Sequence, residues 1–301
     1  MAAIQALKGT SVTVTETFSV DGAPIDLDAG VPTVHAFFSN GTELSPQPTA
    51  SGAWTGRTTG QYRIVLDAQA EVTYLDPITW VGTIGGKQQT LYSRIEWVGD
   101  LLFALAALRA VKVAGGTPFA STTDYPNQML LDRRVEVTDD FEQRTGYSFI
   151  PRFARETFDG AGQTSLILSR YLCQRLLSVT IDGAVQTATD YVLADTGLLQ
   201  RKTGGTFPAT TPQNVVVEYV YGFTRAPAEI SEVGLARAAS LLLPSQAGST
   251  VSSWTTPDGT TYSYDQAGQS FGGGRRYYGI PKIDSVLSDP AYNARRGGVF
   301  A

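Results

Sequence analysis

At Asp100 the hydrophobic period of this 301-residue chain changes, and no other feature constrains the fold as strongly. Before it, apolar and polar residues alternate. VTVTETFSV places Val12 and Val14, then Phe18 and Val20, between polar neighbours, the period-two pattern of a half-buried strand. Short runs of the same kind recur at VPTVHAFF, QYRIVL, ITWVGTIG and LYSRIEWVG, separated by Gly-, Pro-, Ser- and Thr-rich segments. Asp21-Gly22 and Gly85-Gly86 supply turns between them. This pattern predicts that residues 1–98 fold as an all-β sandwich of immunoglobulin-like kind. A chain whose only cysteine is Cys173 cannot carry the inter-sheet disulfide of an antibody domain.

After Asp100 the spacing is helical, and residues 99–244 read as an α+β domain. Leu101, Leu102, Leu105 and Leu108 predict a first helix with Asp100 as its N-cap and Gly115-Gly116 as its stop. A second helix, capped by Asp124 with Pro126 in its first turn, carries Leu130, Val137 and Phe141 on one stripe beside Leu131 and Val135. Gly146 ends it. Its charges (Asp132, Arg133, Glu136, Asp139, Glu142 and Arg144) read as a solvated face. Strands follow at TSLILS, at VTIDGAVQT with the hairpin signal Asp182-Gly183, at TDYVLADTGLLQRK and at NVVVEYVYG. A third helix then opens at Pro227, with Glu229 and Glu232 where the helix dipole favours acids, and Pro244 closes it. The expectation is a small antiparallel sheet inserted between helices.

Residues 245–301 differ again in composition. Pro257-Asp258-Gly259 makes a turn flanked by Val251, Trp254, Tyr262 and Tyr264, a two-stranded hairpin that needs a sheet edge or a neighbour to rest on. Beyond the joint Gly272-Gly273-Gly274 comes an extended C-terminal arm, FGGGRRYYGIPKIDSVLSDPAYNARRGGVFA. Ile280, Ile283, Val286 and Leu287 form one apolar stripe over two helical turns that Pro281 can start. Arg275 and Arg276 suit bidentate pairing with acids, and Tyr277 and Tyr278 offer amphipathic contact area. From Phe271 onward five basic residues stand against two acidic ones, a charge of +3, while the whole chain carries −5; the rest is therefore −8. A basic end on an acidic body suggests that the end meets something acidic, another copy of that body included.

The ingredients of common chemistry are scarce. His35, the only histidine, sits in an alternating strand, and no GxSxG accompanies it. One His and one Cys do not make a zinc site of the usual kind. Cys173 lies in the apolar run YLCQRLLSV and reads as a buried, inert thiol. Neither GxGxxG after a strand nor GxxxxGK[ST] occurs, so no nucleotide or other cofactor is expected. Acid pairs such as Asp139-Asp140 exist, but a charged helix face explains them; the chain is expected not to be an enzyme. The most apolar run, Leu101 to Val113, is broken by Arg109 and Lys112 and falls short of the ~20 residues that cross a bilayer. With no signal-like start, a soluble protein made inside a cell, without a membrane partner, is expected.

From about Asp124 to Leu243 the chain resembles the head–tail connector (adaptor) proteins of tailed phages. The resemblance rests on YPNQMLLDRRVEVTDDFEQRTGYSF, on VTIDG, TDYVLADTGLLQR and NVVVEYVYGF with Tyr219 and Gly222 in its Tyr-x-x-Gly-like ending, and on PAEISEVGLARAASLLL opened by Pro227. GIPKIDSVLSDP is similar to the arm of connectors from phages of actinobacteria. The resemblance implies a virion protein, assembled in the host cytoplasm, that forms a dodecameric ring below the portal. Its partners would be itself, the portal protein, a stopper or other neck and tail protein, and DNA in weak passage. The portal-docking arm would comprise Arg275, Arg276, Tyr277, Tyr278, Ile280, Pro281, Ile283, Val286 and Leu287. The N-terminal sandwich is an addition to that pattern. Two other readings stand beside it: an adhesive or carbohydrate-binding β-module using Trp54, Trp80 and Trp97, and a hydrolase working with carboxylates alone.

Overall fold

A computed structural model of the chain describes residues 4–113, 116–243, 253–263 and 280–292. The chain is mostly β, with several sheets and helices, and divides into two compact units, Met1–Gly99 and Asp100–Ala301.

The described residues of the first unit form eight strands: β1 (Ile4–Leu7), β2 (Val12–Thr17), β3 (Ser19–Val20), β4 (Ala23–Pro24), β5 (Thr33–Phe38), β6 (Gln61–Leu66), β7 (Thr73–Ile84) and β8 (Lys87–Val98). One sheet has the order β1-β8-β7-β5, parallel only between β1 and β8; β2 and β6 form the facing ladder. Alternation does what the sequence promised. Tyr62, Ile64 and Leu66 of β6 point inward with Val14 of β2 and meet Trp80, Ile95 and Trp97 from the other layer in one core. Pro77 would interrupt an inner strand, since it has no N–H to donate. A bulge between Leu75 and Ile78 absorbs it, so these two residues, three apart, are both fully buried. Both expected turns are present, and Asp21, Gly22, Gly85 and Gly86 all have positive φ.

The second unit opens with a helix shorter than its sequence pattern: α1 spans only Leu105–Arg109, after an N-cap at Ala104. Asp100 does not cap it. Its carboxylate accepts hydrogen bonds from the Leu101 N–H (2.8 Å) and the Ala226 N–H (3.2 Å), and residues 101–104 stay outside the helix, bending at Leu102 and Phe103. Helix α2 (Asn127–Thr145) starts after Pro126, and Asp124 instead bonds Ser121. Gly146, at φ 82°, closes α2 as expected, its N–H reaching the Glu142 carbonyl.

Strands β9 (Arg152–Phe158), β10 (Ser165–Ile167), β11 (Cys173–Ile181), β12 (Ala184–Gln186), β13 (Tyr191–Leu193), β14 (Leu198–Arg201) and β15 (Val215–Tyr221) make two antiparallel sheets where one was expected. Their orders are β12-β11-β15-β9 and β10-β14-β13. The two share a core of Leu166, Tyr191, Leu199 and Phe207 with Val179, Val215 and Val217. After β15 the chain turns at Gly222, φ 101°, where a Cβ would lie 2.3 Å from the Ile150 carbonyl oxygen. Only glycine fits there.

Helix α3 (Ala228–Leu242) follows Pro227 and packs on α2. Strands β16 (Ser253–Thr255) and β17 (Thr261–Ser263) form the expected hairpin, and α4 (Pro281–Leu287) follows. All of these helices and the hairpin contribute to a second core built on Leu108, Leu130, Val137, Phe141, Ile230 and Val233.

Candidate functional site

The sequence pointed to the stretch 275–287 as a docking arm. Its second half has another position. Ile280, Ile283 and Leu287 are at most 1% exposed and belong to the helical core, with Val286 half-buried beside them. Ile280 is the N-cap of α4 and Pro281 lies in its first turn. The stripe is therefore amphipathic as expected, but its apolar face is covered by the chain's own helices. A face buried in that way is not a free docking surface. Arg275, Arg276, Tyr277 and Tyr278 lie outside the described residues.

The hairpin before it also rests on its own unit. Lys112 and Thr255 exchange two backbone hydrogen bonds of 2.8 Å, and Trp254 stacks on Tyr262 with ring centres 5.8 Å apart, both rings buried. The Tyr262 hydroxyl donates to Glu232 on α3 (2.8 Å), and Lys282 on α4 forms an ion pair with the same carboxylate. Burial pushes the Glu232 carboxyl up, but the hydrogen bonds from Lys282, Tyr262 and Thr260 and the Lys282 charge together hold it below the usual range. One acid on α3 thus ties both following segments to the body.

Next to Glu232 lies an open groove of about 880 Å³. Its floor is apolar, formed by the non-helical residues Leu101 and Phe103 with Ala107 and Leu235. Four carboxylates, Asp100, Glu229, Glu232 and Asp258, border it against a single guanidinium, Arg225. Hydrogen bonds led by the Thr256 hydroxyl hold the Asp258 carboxyl low, so it stays charged. Sequence reasoning missed this groove, because Glu229 and Glu232 had a sufficient explanation as helix-start acids.

The remaining candidates are structural. Glu142, expected on a solvated face, is buried. Its two oxygens accept from Arg170 (2.9 Å) and Tyr221 (2.9 Å) and from Arg152 (2.9 Å), and Arg152 also pairs with Asp139 (2.7 Å). Asp140 pairs with Arg144 at 2.6 Å. This network fastens α2 to the sheet. Glu156 is the matching group within the sheet, receiving the Tyr219 and Ser169 hydroxyls. Burial, then Glu156, drive the Tyr219 phenol far above its ordinary value. Cys173 is buried, and desolvation followed by Glu156 and Asp195 pushes its thiol up to about 12, the signature of an unreactive sulfur.

In the first unit His35 is exposed on β5, 3.4 Å from Glu43. Trp80 and Trp97 are fully buried in the sandwich core, so they cannot form a sugar platform with Trp54; Trp54 is half-buried under the guanidinium of Arg63, 4.8 Å above its ring. Among the described residues no three His, Cys, Asp or Glu side chains converge as metal ligands, and no helix is long and apolar enough to cross a membrane.

No protein-family description matches this chain, and no curated protein does. Among solved structures it is similar to a chain from the neck of an empty GTA particle computed with C6 symmetry. That likeness covers 48% of this chain and 78% of the other, at 18% identity and a TM-score of 0.35. A likeness of that size assigns neither fold nor function.

Proposed function

We propose that this protein is a structural head-to-tail adaptor of a tailed phage, a ring component that joins the DNA-filled capsid to the neck. The observation that carries this reading is the order of elements in the second unit. Helix α2 leads into an antiparallel sheet, β15 closes with Tyr219 and Gly222, and α3 opens after Pro227 and packs back on α2. That is the succession on which the resemblance to connectors rests. A ring of twelve copies needs a heterologous interface that closes on itself. The first unit is then an immunoglobulin-like decoration, a view supported by a sheet in which the last strand β8 lies between β7 and the parallel β1. The role is non-enzymatic, without a cofactor, and resides in the virion. The portal lies on one side, a stopper or other neck protein on the other, and DNA passes in weak contact, as an acidic body requires.

Because α4 is core, the docking element is narrowed to Arg275, Arg276, Tyr277 and Tyr278, with 280–287 as its anchor. The test is co-sedimentation with DNA-filled tailless capsids, using the full chain and a variant with those four residues changed to Ser. Pelleting near a dozen copies per particle, lost in the variant, is the expected result. If neither protein pellets, the adaptor reading fails. A glycan array with the full chain examines the adhesive alternative, for which Trp54 is the remaining candidate.

A further inference from the structure

The groove beside Glu232 has the chemistry of a peptide receptor: an apolar floor with acids along its border. Glu229 is exposed there and has no hydrogen-bond or ion-pair partner among the described residues. A segment that fits must be short and carry positive charge next to apolar side chains. Residues 293–301 read NARRGGVFA, with Arg295 and Arg296 separated by two glycines from Val299 and Phe300. The preceding residue fixes where this segment sets out. The Tyr292 ring packs against Phe149 and Phe223, with centres 6.1 and 6.4 Å apart, and its hydroxyl feels burial first and then the Glu229 charge. Tyr292, the residue before the segment, is therefore within electrostatic reach of an acid that borders the groove. Nine extended residues span up to about 30 Å.

We propose that this groove receives the chain's own residues 293–301, with Arg295 and Arg296 against Glu229 and its neighbouring acids, and Val299 and Phe300 on the floor of Leu101, Phe103 and Leu235. Exposed ion pairs are individually weak, typically below about 1 kcal/mol. Tethering supplies the rest, since a short linker holds the segment at an effective concentration on the order of millimolar. The match explains why charge is so unevenly divided between the last 31 residues and the others. It does not depend on the adaptor reading.

The test places a benzophenone amino acid at Phe300 in the full-length protein, at low micromolar concentration, and maps photo-crosslinks by mass spectrometry. Crosslinks at monomer mass to residues 101–107 or 228–235 are expected. Arg295→Glu with Arg296→Glu should cut their yield roughly three- to tenfold, and adding Glu229→Arg should restore it. Glu229 is exposed, outside the buried cores, and circular dichroism checks that the fold is kept in every variant. Crosslinks elsewhere, no crosslinks, or a yield indifferent to charge reversal would overturn the proposal. Groove crosslinks found at dimer mass would also overturn it, because the occupant would then be a second copy.

Discussion

The two units reach a closed core by different routes. In the sandwich, every large buried side chain comes from one stretch of about ninety residues, each strand carrying its own alternating apolar row, although only β7 and β8 are neighbours both in the four-stranded sheet and in sequence. In the helical layer of the second unit, Leu102, Leu130, Val233, Trp254 and Ile283 meet in one cluster although 181 positions separate the first from the last. The first kind of core is announced by local alternation. The second is completed by segments whose sequence looks like an appendage. A glycine-rich, basic stretch ahead of Ile280 gives no hint that the next turn of helix is needed inside.

The strongest way to break this comparison is Ile283→Asp. A carboxylate placed where Ile283 is fully buried loses the apolar contact and has no described partner of opposite charge to meet it, at a cost of about 3–5 kcal/mol. Hydrogen exchange read peptide by peptide should show protection lost over 100–243 and kept over 4–98. Full protection in both units would return α4 to the status of a free arm. The same logic warns against truncating at Ser270 to test docking: the cut removes core along with the arm.

The sequence made the faces of elements legible more often than their partners. Alternation located the sandwich strands, and both glycine turns were correct. The apolar stripe from Ile280 to Leu287 was also correct, but a stripe states that one face is covered and not by what. The pattern predicts too long a first helix because Leu101 and Leu102 share helical spacing with Leu105, whereas Asp100 binds the Leu101 and Ala226 N–H groups and the chain stays non-helical up to Ala104. Trp80 and Trp97 carry no mark in sequence that separates core from platform. Glu142 did carry one. It falls four residues after Thr138 and seven after Val135, on the row that also buries Phe141 and Thr145, so the period placed it inside while its charge argued for outside. The period won because Arg152, Arg170 and Tyr221 supply its partners.

Glu142→Ala sharpens the comparison at intermediate size. Removing the acid deletes its ion pair with Arg152, which is 17% exposed, and the hydrogen bond it accepts from the Tyr221 hydroxyl, for a loss of about 3 kcal/mol. Glu142→Gln should lose less, since it keeps an acceptor for Tyr221. The loss should appear in urea denaturation of the second unit and leave the sandwich unchanged. An alanine variant as stable as the parent would mean that the network orders the joint between α2 and the sheet without stabilising it.

The smallest effect belongs to the sandwich and concerns Glu16, an acid on the inward row of β2. Glu16 follows Val12 and Val14 on β2, and its carboxylate accepts from the Ser93 hydroxyl (2.6 Å), which in turn accepts from the Trp80 indole N–H (2.8 Å). Burial raises the Glu16 carboxyl above its ordinary value, and the Ser93 hydrogen bond only partly opposes this. The folded state therefore holds the proton to a higher pH than the unfolded state. Stability from this group is fully present below the unfolded pKa and declines as pH rises through the folded one. Glu16→Gln keeps an acceptor for Ser93 and removes the charge, so it should stay within about 1 kcal/mol of the parent at neutral pH while losing that decline. Thermal unfolding of the first unit, followed by exchange of its peptides between pH 4 and 7, reads the difference in slope. Equal slopes in both proteins would mean that solvent reaches the carboxylate, and that the Glu16–Ser93–Trp80 chain joins the two layers without being sealed by them.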